Sequence, residues 1–349
     1  MLQIVNLTPF SAALSVFPDA TGVETAYAAV KATFVLGGDA PAPVQLPLLP
    51  ADVFWADPTS SSLRAAGELG LLKTATDVLL TGRAIAPAED TRVADVELAV
   101  GALRRRVRVF GERQWRKQGG RWVGSDPEPW SRMPLRWELA FGGTAPEAGA
   151  DGLVDYEPRN PVGRGFVPAD AQPVQGQPLP NLEDPAAPLE SPEQRPTPAC
   201  FAPVAPTWMP RRRYVGTYDE AWTRERAPYL PFDFDARYFQ VAPPELVVPG
   251  FLQGGEPVQL SGFSVGAPLA FALPRADVQI EFDFDGRSVT RAAQLETVLF
   301  EPDAGRVQML WRAALPVDKK LLRLTQAAVH SARYEQRAQS APAASLQPA

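Results

Sequence analysis

The sequence predicts a mainly β protein: two packed β-sandwich or barrel-like regions joined by long, ordered, proline-rich loops. Three observations carry that reading. Apolar and polar residues alternate with period two in several separated segments, the signature of strands with one buried face. Proline makes up 38 of 349 residues, more than twice the typical share of about 5%. Fourteen of those prolines fall between residues 144 and 207, where a fixed φ and a missing N–H exclude a helix or a central strand. Large aromatic residues flank and interrupt that stretch, including Trp137, Phe141, Phe166, Phe201, Trp208, Tyr218 and Trp222. A disordered linker lacks such groups, so the loops are expected to be ordered and pinned to a core by aromatic anchors.

Taken in order, Val30, Ala32 and Phe34 alternate with Lys31 and Thr33, which predicts a half-buried strand. VADVELAV (93–100), GAL and RRRVRVF (104–110) predict a hairpin with a three-residue loop. DVQIEFDF (277–284) puts Val278, Ile280, Phe282 and Phe284 on one face, with a turn at Asp285 and Gly286 and a partner strand from Ser288. VLFEP (298–302), DAGR and VQMLWR (307–312) predict another hairpin. No long amphipathic helix is expected before residue 318. Segment 318–336 reads either as a helix, with Leu321, Leu324, Ala328 and Ala332 on one face, or as a last strand around 322–329. The expected organisation is an N-terminal β region (1–143), a proline-rich connecting region packed on both neighbours (144–215), a C-terminal β region (216–330) and a disordered tail (331–349).

Composition bounds the function. Hydrophobic residues are 45% and charged residues 21% of the chain, as in a globular protein large enough to bury a full core. A net charge of −6 argues against general nucleic-acid binding and against an anionic membrane surface. One cysteine, Cys200, fits a reducing compartment. MLQIVNLTPF lacks a basic start and a sustained apolar run, and no stretch approaches the roughly 18 apolar residues of a membrane span. A cytoplasmic protein without a membrane span is expected.

Catalytic chemistry is poorly supplied. His330 is the single histidine, so a Cys/His zinc site and a histidine-based triad lack residues. Cys200 reads as a small packed residue. Asp233 with Asp235, and Glu281 with Asp283 and Asp285, are spaced at i, i+2, placing extended side chains roughly 6–7 Å apart. Such pairs suit a hydrolytic site or an oxygen-ligand Ca²⁺ site. The simpler readings are a wet strand face for 281–285, and pairing with Arg237 or capping of loop amides for Asp233 and Asp235. Arg104, Arg105, Arg106 and Arg108 read as a solvated strand face. Trp208 with Arg211, Arg212 and Arg213 lies in a loop, where arginine beside an aromatic is a contact combination. These four are the candidate partner-binding residues.

Ordered strings run along nearly the whole chain: NLTPF, KATF, DVLLTGRAIAP, VRVFGERQW, MPLRWELAFGG, RNPVGRGF, LPNLE, WMPRRR, GTYDEAW, LPFDFDARYFQVAP and QLETVLFEPDAGRVQMLWR. In these the chain resembles the uncharacterised-domain family of bacterial type VI secretion effector adaptors, or chaperones. The resemblance implies a non-catalytic protein without cofactor or metal. Its partners would be a toxic effector and the secretion spike, a valine-glycine-repeat trimer with its tip. It supplies no catalytic or ligand residues. Trp137, Phe141, Gly142, Gly143, Asn160, Asn181, Tyr218, Asp219, Trp222, Asp233, Asp235 and Arg237 are then motif residues that hold the fold. After QVAP the chain departs from the family pattern, reading PELVVPGF at 244–251. A carboxylate-dependent glycan hydrolase, or a structural piece secreted with the spike, are the alternatives.

Overall fold

A computed structural model describes residues 2–145, 152–168, 174–284 and 286–335. Strands dominate, and the one α-helix among the described residues is Glu220–Glu225. The fold is mainly β, as the alternation predicts. No helix among the described residues is long and apolar enough to cross a membrane.

Three larger sheets form the body. One has the order Ser11–Pro18, Glu24–Val35, Arg306–Pro316, Gln294–Glu301, Asp77–Leu80. Its pairs are antiparallel except the last. The second has the order Leu182–Glu183, Leu103–Phe110, Val93–Val100, Pro257–Ser261, Leu269–Ala272. The third runs Gln3–Asn6, Leu324–Ser331, Val278–Phe284, Arg287–Ala292. Each sheet combines strands from before residue 143 with strands from after residue 216. The apolar faces of all three enter one core that includes Val30, Phe34, Leu98, Val107, Ile280, Phe282, Phe300 and Val329.

Both predicted C-terminal hairpins form, and Gly305 closes the second with φ 62°. The hairpin at 93–110 turns more tightly than expected. Leu103 pairs with Val100, leaving only Gly101 and Ala102 in the loop, with Gly101 at φ 58°. Segment 318–336 resolves towards the strand: a 3-10 turn at Asp318–Arg323 leads into Leu324–Ser331, which pairs on both sides. Residues 336–349, most of the expected tail, lie outside the described residues, as do 146–151 and 169–173 within the proline-rich region. What is described of 144–207 is irregular apart from the two-residue strands Arg164–Gly165 and Leu182–Glu183. It is packed rather than loose. Val167, Val174, Leu179 and Leu189 bury against Trp115 and Phe141 in a second, smaller core.

The first sheet departs from the sequence reading in an informative way. Val30, Ala32 and Phe34 face the core, as expected, and Ala26 and Ala28 extend that face. Lys31 and Thr33, on the other face, should meet water, yet they are 2% and 1% exposed. Segment 42–71 folds back over them. Gln45 bonds the Thr33 backbone in both directions at 2.8 Å, and Lys31 Nζ donates to Pro47 O at 3.1 Å.

Charges then neutralise in pairs beneath this cover. Lys31 meets Glu68 at 2.8 Å, Arg312 meets Glu296 at 2.9 Å, and Lys73 meets Asp77 at 2.5 Å. Asp77 also accepts from the Val241 amide at 2.8 Å, and Arg312 donates to Leu71 O at 2.7 Å. Burial raises the Glu296 pKa from its ordinary value, opposed by the cations of Arg312 and Lys73. Removing one partner of such a pair strands the other in a low-dielectric site. Arg312→Leu should therefore cost about 3–5 kcal/mol, read from the urea midpoint at unchanged m-value.

Candidate functional site

The family-like motifs around the proline-rich region meet in a buried knot. Asn160 is fully buried, and its Nδ2 donates to Trp137 O at 2.8 Å and Phe141 O at 2.9 Å. The Gly143 amide returns a bond to Asn160 O at 2.9 Å. Gly142 has φ 150°, and a Cβ there would fall onto Asn160 O. That close approach explains the glycine. Phe141 and Gly142 pair in parallel with Arg164 and Gly165. Arg164 reaches Asn181 Oδ1 at 2.9 Å, and the Asn181 amide donates to Leu139 O at 2.8 Å. Trp137 donates through Nε1 to Pro203 O at 2.9 Å and lies edge-on to Trp208 with centroids 6.2 Å apart.

The proposed contact group of Trp208, Arg211, Arg212 and Arg213 does not survive as a single surface. Trp208 is 5% exposed and Arg211 6%. The segment turns as a 3-10 helix, Arg211–Tyr214, so consecutive arginines point in different directions. Arg211 faces inward, where Nε donates to Tyr238 O at 2.9 Å and a terminal nitrogen donates to Val204 O at 2.7 Å. Arg212 and Arg213 remain exposed.

They open an excursion, residues 212–239, in which Pro231 alone is buried. Eight aromatic residues lie in it: Tyr214, Tyr218, Trp222, Tyr229, Phe232, Phe234, Tyr238 and Phe239. None is buried, and Phe232 is 79% exposed. Trp222, expected as a buried anchor, is only half-buried. The excursion is nevertheless braced. Asp219 caps Glu220–Glu225 by accepting from the Trp222 amide at 2.8 Å. Trp222 Nε1 donates to Tyr229 O at 2.8 Å, and Tyr218 packs edge-on to Trp222. Arg226 donates to Ala20 O at 2.7 Å and Thr21 O at 3.1 Å, fastening the excursion to the turn between Ser11–Pro18 and Glu24–Val35.

The two candidate carboxylates of this region are engaged in bracing it. Asp233 accepts from the Thr217 amide at 3.0 Å and its hydroxyl at 2.7 Å. Those bonds, the amide's first, lower its pKa. Asp235 accepts from the Arg237 amide and Nε, both at 2.8 Å, and its pKa is lowered chiefly by the Arg237 side chain. Arg213 and Arg237 both lie over the Tyr214 ring, at 4.8 and 4.5 Å.

The other candidates are dispersed. Arg104 and Arg106 both pair with Glu97, and Arg108 pairs with Asp95 at 2.7 Å, on the expected solvated face. Arg105 points the other way, reaching Asp184 at 2.7 Å and Glu245 at 3.0 Å. Glu281 sits 3.5 Å from His330 Nε2, while Asp283 accepts from the Gly286 amide at 2.9 Å. Asp285 lies outside the described residues. No group of three or more metal-ligating side chains occurs among the described residues. Cys200 is fully buried, and burial pushes its thiol up to about 12.

A cavity of about 560 Å³ also lies over the polar face of the first sheet. Its floor includes Lys31, Gln308, Leu310 and Arg312, its cover 46–53 and 64–70, and one end Arg211, Tyr238 and Phe239. Sequence reading missed it, because Lys31, Glu68 and Arg312 are distant in the chain and only pairing of the strands brings them together.

This is a β-rich protein with a stapled loop region and an aromatic-rich excursion on which Tyr218, Tyr229 and Phe232 are exposed. Residues 21–312 match the model of a family described as "Uncharacterized protein conserved in bacteria (DUF2169)". The chain belongs to that family. Comparisons with curated proteins and with solved structures gave no match.

Burial separates the tryptophans. Trp137→Ala and Trp208→Ala should each cost about 3–5 kcal/mol, and Trp222→Ala about 1 kcal/mol or less, measured by denaturant unfolding. Since only the thiolate reacts, Cys200 should resist a disulfide reagent in native protein at pH 8. It should label at the rate of global unfolding, and rapid native labelling would contradict the buried position.

Proposed function

We propose that this chain is a type VI secretion effector adaptor. It binds a toxic effector in the cytoplasm and helps load it onto the spike formed by the valine-glycine-repeat protein and its tip. The order of motifs along the chain supports the secretion context. The observation that carries a binding role is the excursion at 212–239, with eight aromatics, none of them buried.

Tyr218, Tyr229 and Phe232 are exposed and the other five half-buried, and large exposed apolar groups gathered in one segment mark an interaction surface. Tyrosine, tryptophan and arginine dominate the energetics of such surfaces. The bracing by Arg226, Asp219 and Asp233 lowers the entropy lost on binding, since the aromatics are already presented. Arg212 and Arg213 have no carboxylate partner among the described residues; they donate to the hydroxyls of Tyr156 and Tyr214. An effector that offers acidic groups beside an apolar patch complements them. Two paired, pKa-lowered aspartates favour this reading over a glycan hydrolase built on Asp233 and Asp235, because a general acid requires a raised pKa.

Changing Phe232, Arg212 and Arg213 together to Ser should leave the melting temperature nearly unchanged. It should weaken effector binding about tenfold or more, roughly 1.4 kcal/mol, most visibly at low salt. Deleting the gene should stop export of one effector while the spike is still exported. Unchanged effector export would overturn the adaptor role, and recovery of this chain in the medium with the spike would favour a secreted structural component.

A further inference from the structure

We propose that the cavity over the polar sheet face binds a carboxylate carried on an apolar body, with Arg211 as its anchor. At about 560 Å³ the cavity falls within the range of small-molecule sites, about 300–1,000 Å³. Its rim includes the exposed Ala51, Val53, Arg64 and Gly67, so the space opens to solvent.

The charge pattern selects the ligand. Lys31, Lys73, Arg306 and Arg312 line the cavity, and each already has its own carboxylate: Glu68, Asp77, Glu301 and Glu296. Arg64, without a carboxylate among the described residues, is exposed on the rim over the Trp55 ring; Arg211 is the buried exception. It is 6% exposed, lines the same cavity, and pairs with no carboxylate among the described residues. Two of its nitrogens donate to the carbonyls of Tyr238 and Val204, which fixes the guanidinium plane. Its remaining terminal nitrogen has no acceptor among the described residues. Burial lowers its pKa, but arginine keeps its proton at physiological pH.

Asp52 and Asp77 favour the charge of Arg211 through space, but no carboxylate among the described residues bonds it, and a buried cation without a bonded counter-ion is costly. A ligand carboxylate would complete it through a charge-assisted bond. One unpaired buried cation, with Asp52 also on the lining, matches a monoanion better than a phosphate dianion. The walls supply the rest of the specificity. Leu49, Leu79, Leu299, Leu310 and Phe239 offer apolar surface to the body of the ligand. Such an acid could be free, or it could be the C-terminus of a peptide. The site does not depend on the adaptor reading.

The test is calorimetric titration of the full chain with three probes: dodecanoate, the peptide acetyl-Leu-Phe-Leu with a free C-terminus, and the same peptide as its C-terminal amide. At least one acid should bind and the amide should not. Binding of dodecanoate alone assigns the site to free acids, and binding of the peptide acid assigns it to chain termini. Arg211→Gln should weaken the acid at least about tenfold, the scale of a lost charged hydrogen bond. Because Arg211 also holds two loop carbonyls, Leu299→Trp provides a second variant that fills the cavity and leaves the guanidinium in place. It too should abolish binding. Absence of binding by both acids at about 1 mM, the dissociation constant of a weak site, would overturn the proposal. So would equal binding of acid and amide, or an acid affinity unchanged in Leu299→Trp.

Discussion

Three buried ion pairs on the second face of one sheet set the positions of most of what surrounds them. Lys31, Arg312 and Lys73 stand over strands or at their ends and find Glu68, Glu296 and Asp77. Paired charges in an interior contribute little net stability against an apolar alternative. They are directional, however. An apolar face accepts a cover in many placements, whereas donors and acceptors on both sides accept the few that satisfy them all. Glu68 takes Lys31 and the Leu49 amide together, and Asp77 takes Lys73, Gln240 and the Val241 amide. Segments far apart in sequence are thereby drawn onto the same sheet. The cavity beside Arg211 is what that cover leaves unfilled.

The proline-rich region solves a different problem. Residues with fixed φ and no donor cannot satisfy one another through a ladder, so side chains and isolated bonds do the work. Asn160 supplies its amide to two carbonyls, Arg164 joins Glu112 to Asn181, and Trp137 closes over the Pro203 carbonyl. The result, over the described residues, is a packed irregular layer beside the sheets. The motifs RNPVGRGF, LPNLE and MPLRWELAFGG supply the bonds that hold this layer. The excursion at 212–239 differs because its aromatic rings are braced without being buried, and Tyr218, Tyr229 and Phe232 are exposed.

Much of the architecture was legible in the chain. Period-two alternation located the strands at 93–110 and 277–284, because a strand with one apolar face must alternate, and turn residues located the hairpin at 298–312. Proline density located the irregular layer, and the single histidine and cysteine limited the chemistry. The pairing of Asp235 with Arg237 was also legible, since both lie within two residues. Only the tertiary structure decided which alternating residues were wet. Lys31 and Thr33 read as a solvent face and are buried, because segment 42–71 returns over them. Arg211 read as a surface and is interior, because the 3-10 turn Arg211–Tyr214 rotates neighbouring side chains apart. Local pattern records which residues share a face of a strand. What covers that face is set by contacts between residues as distant as Lys73 and Glu296, and those contacts exist only once the sheets have paired.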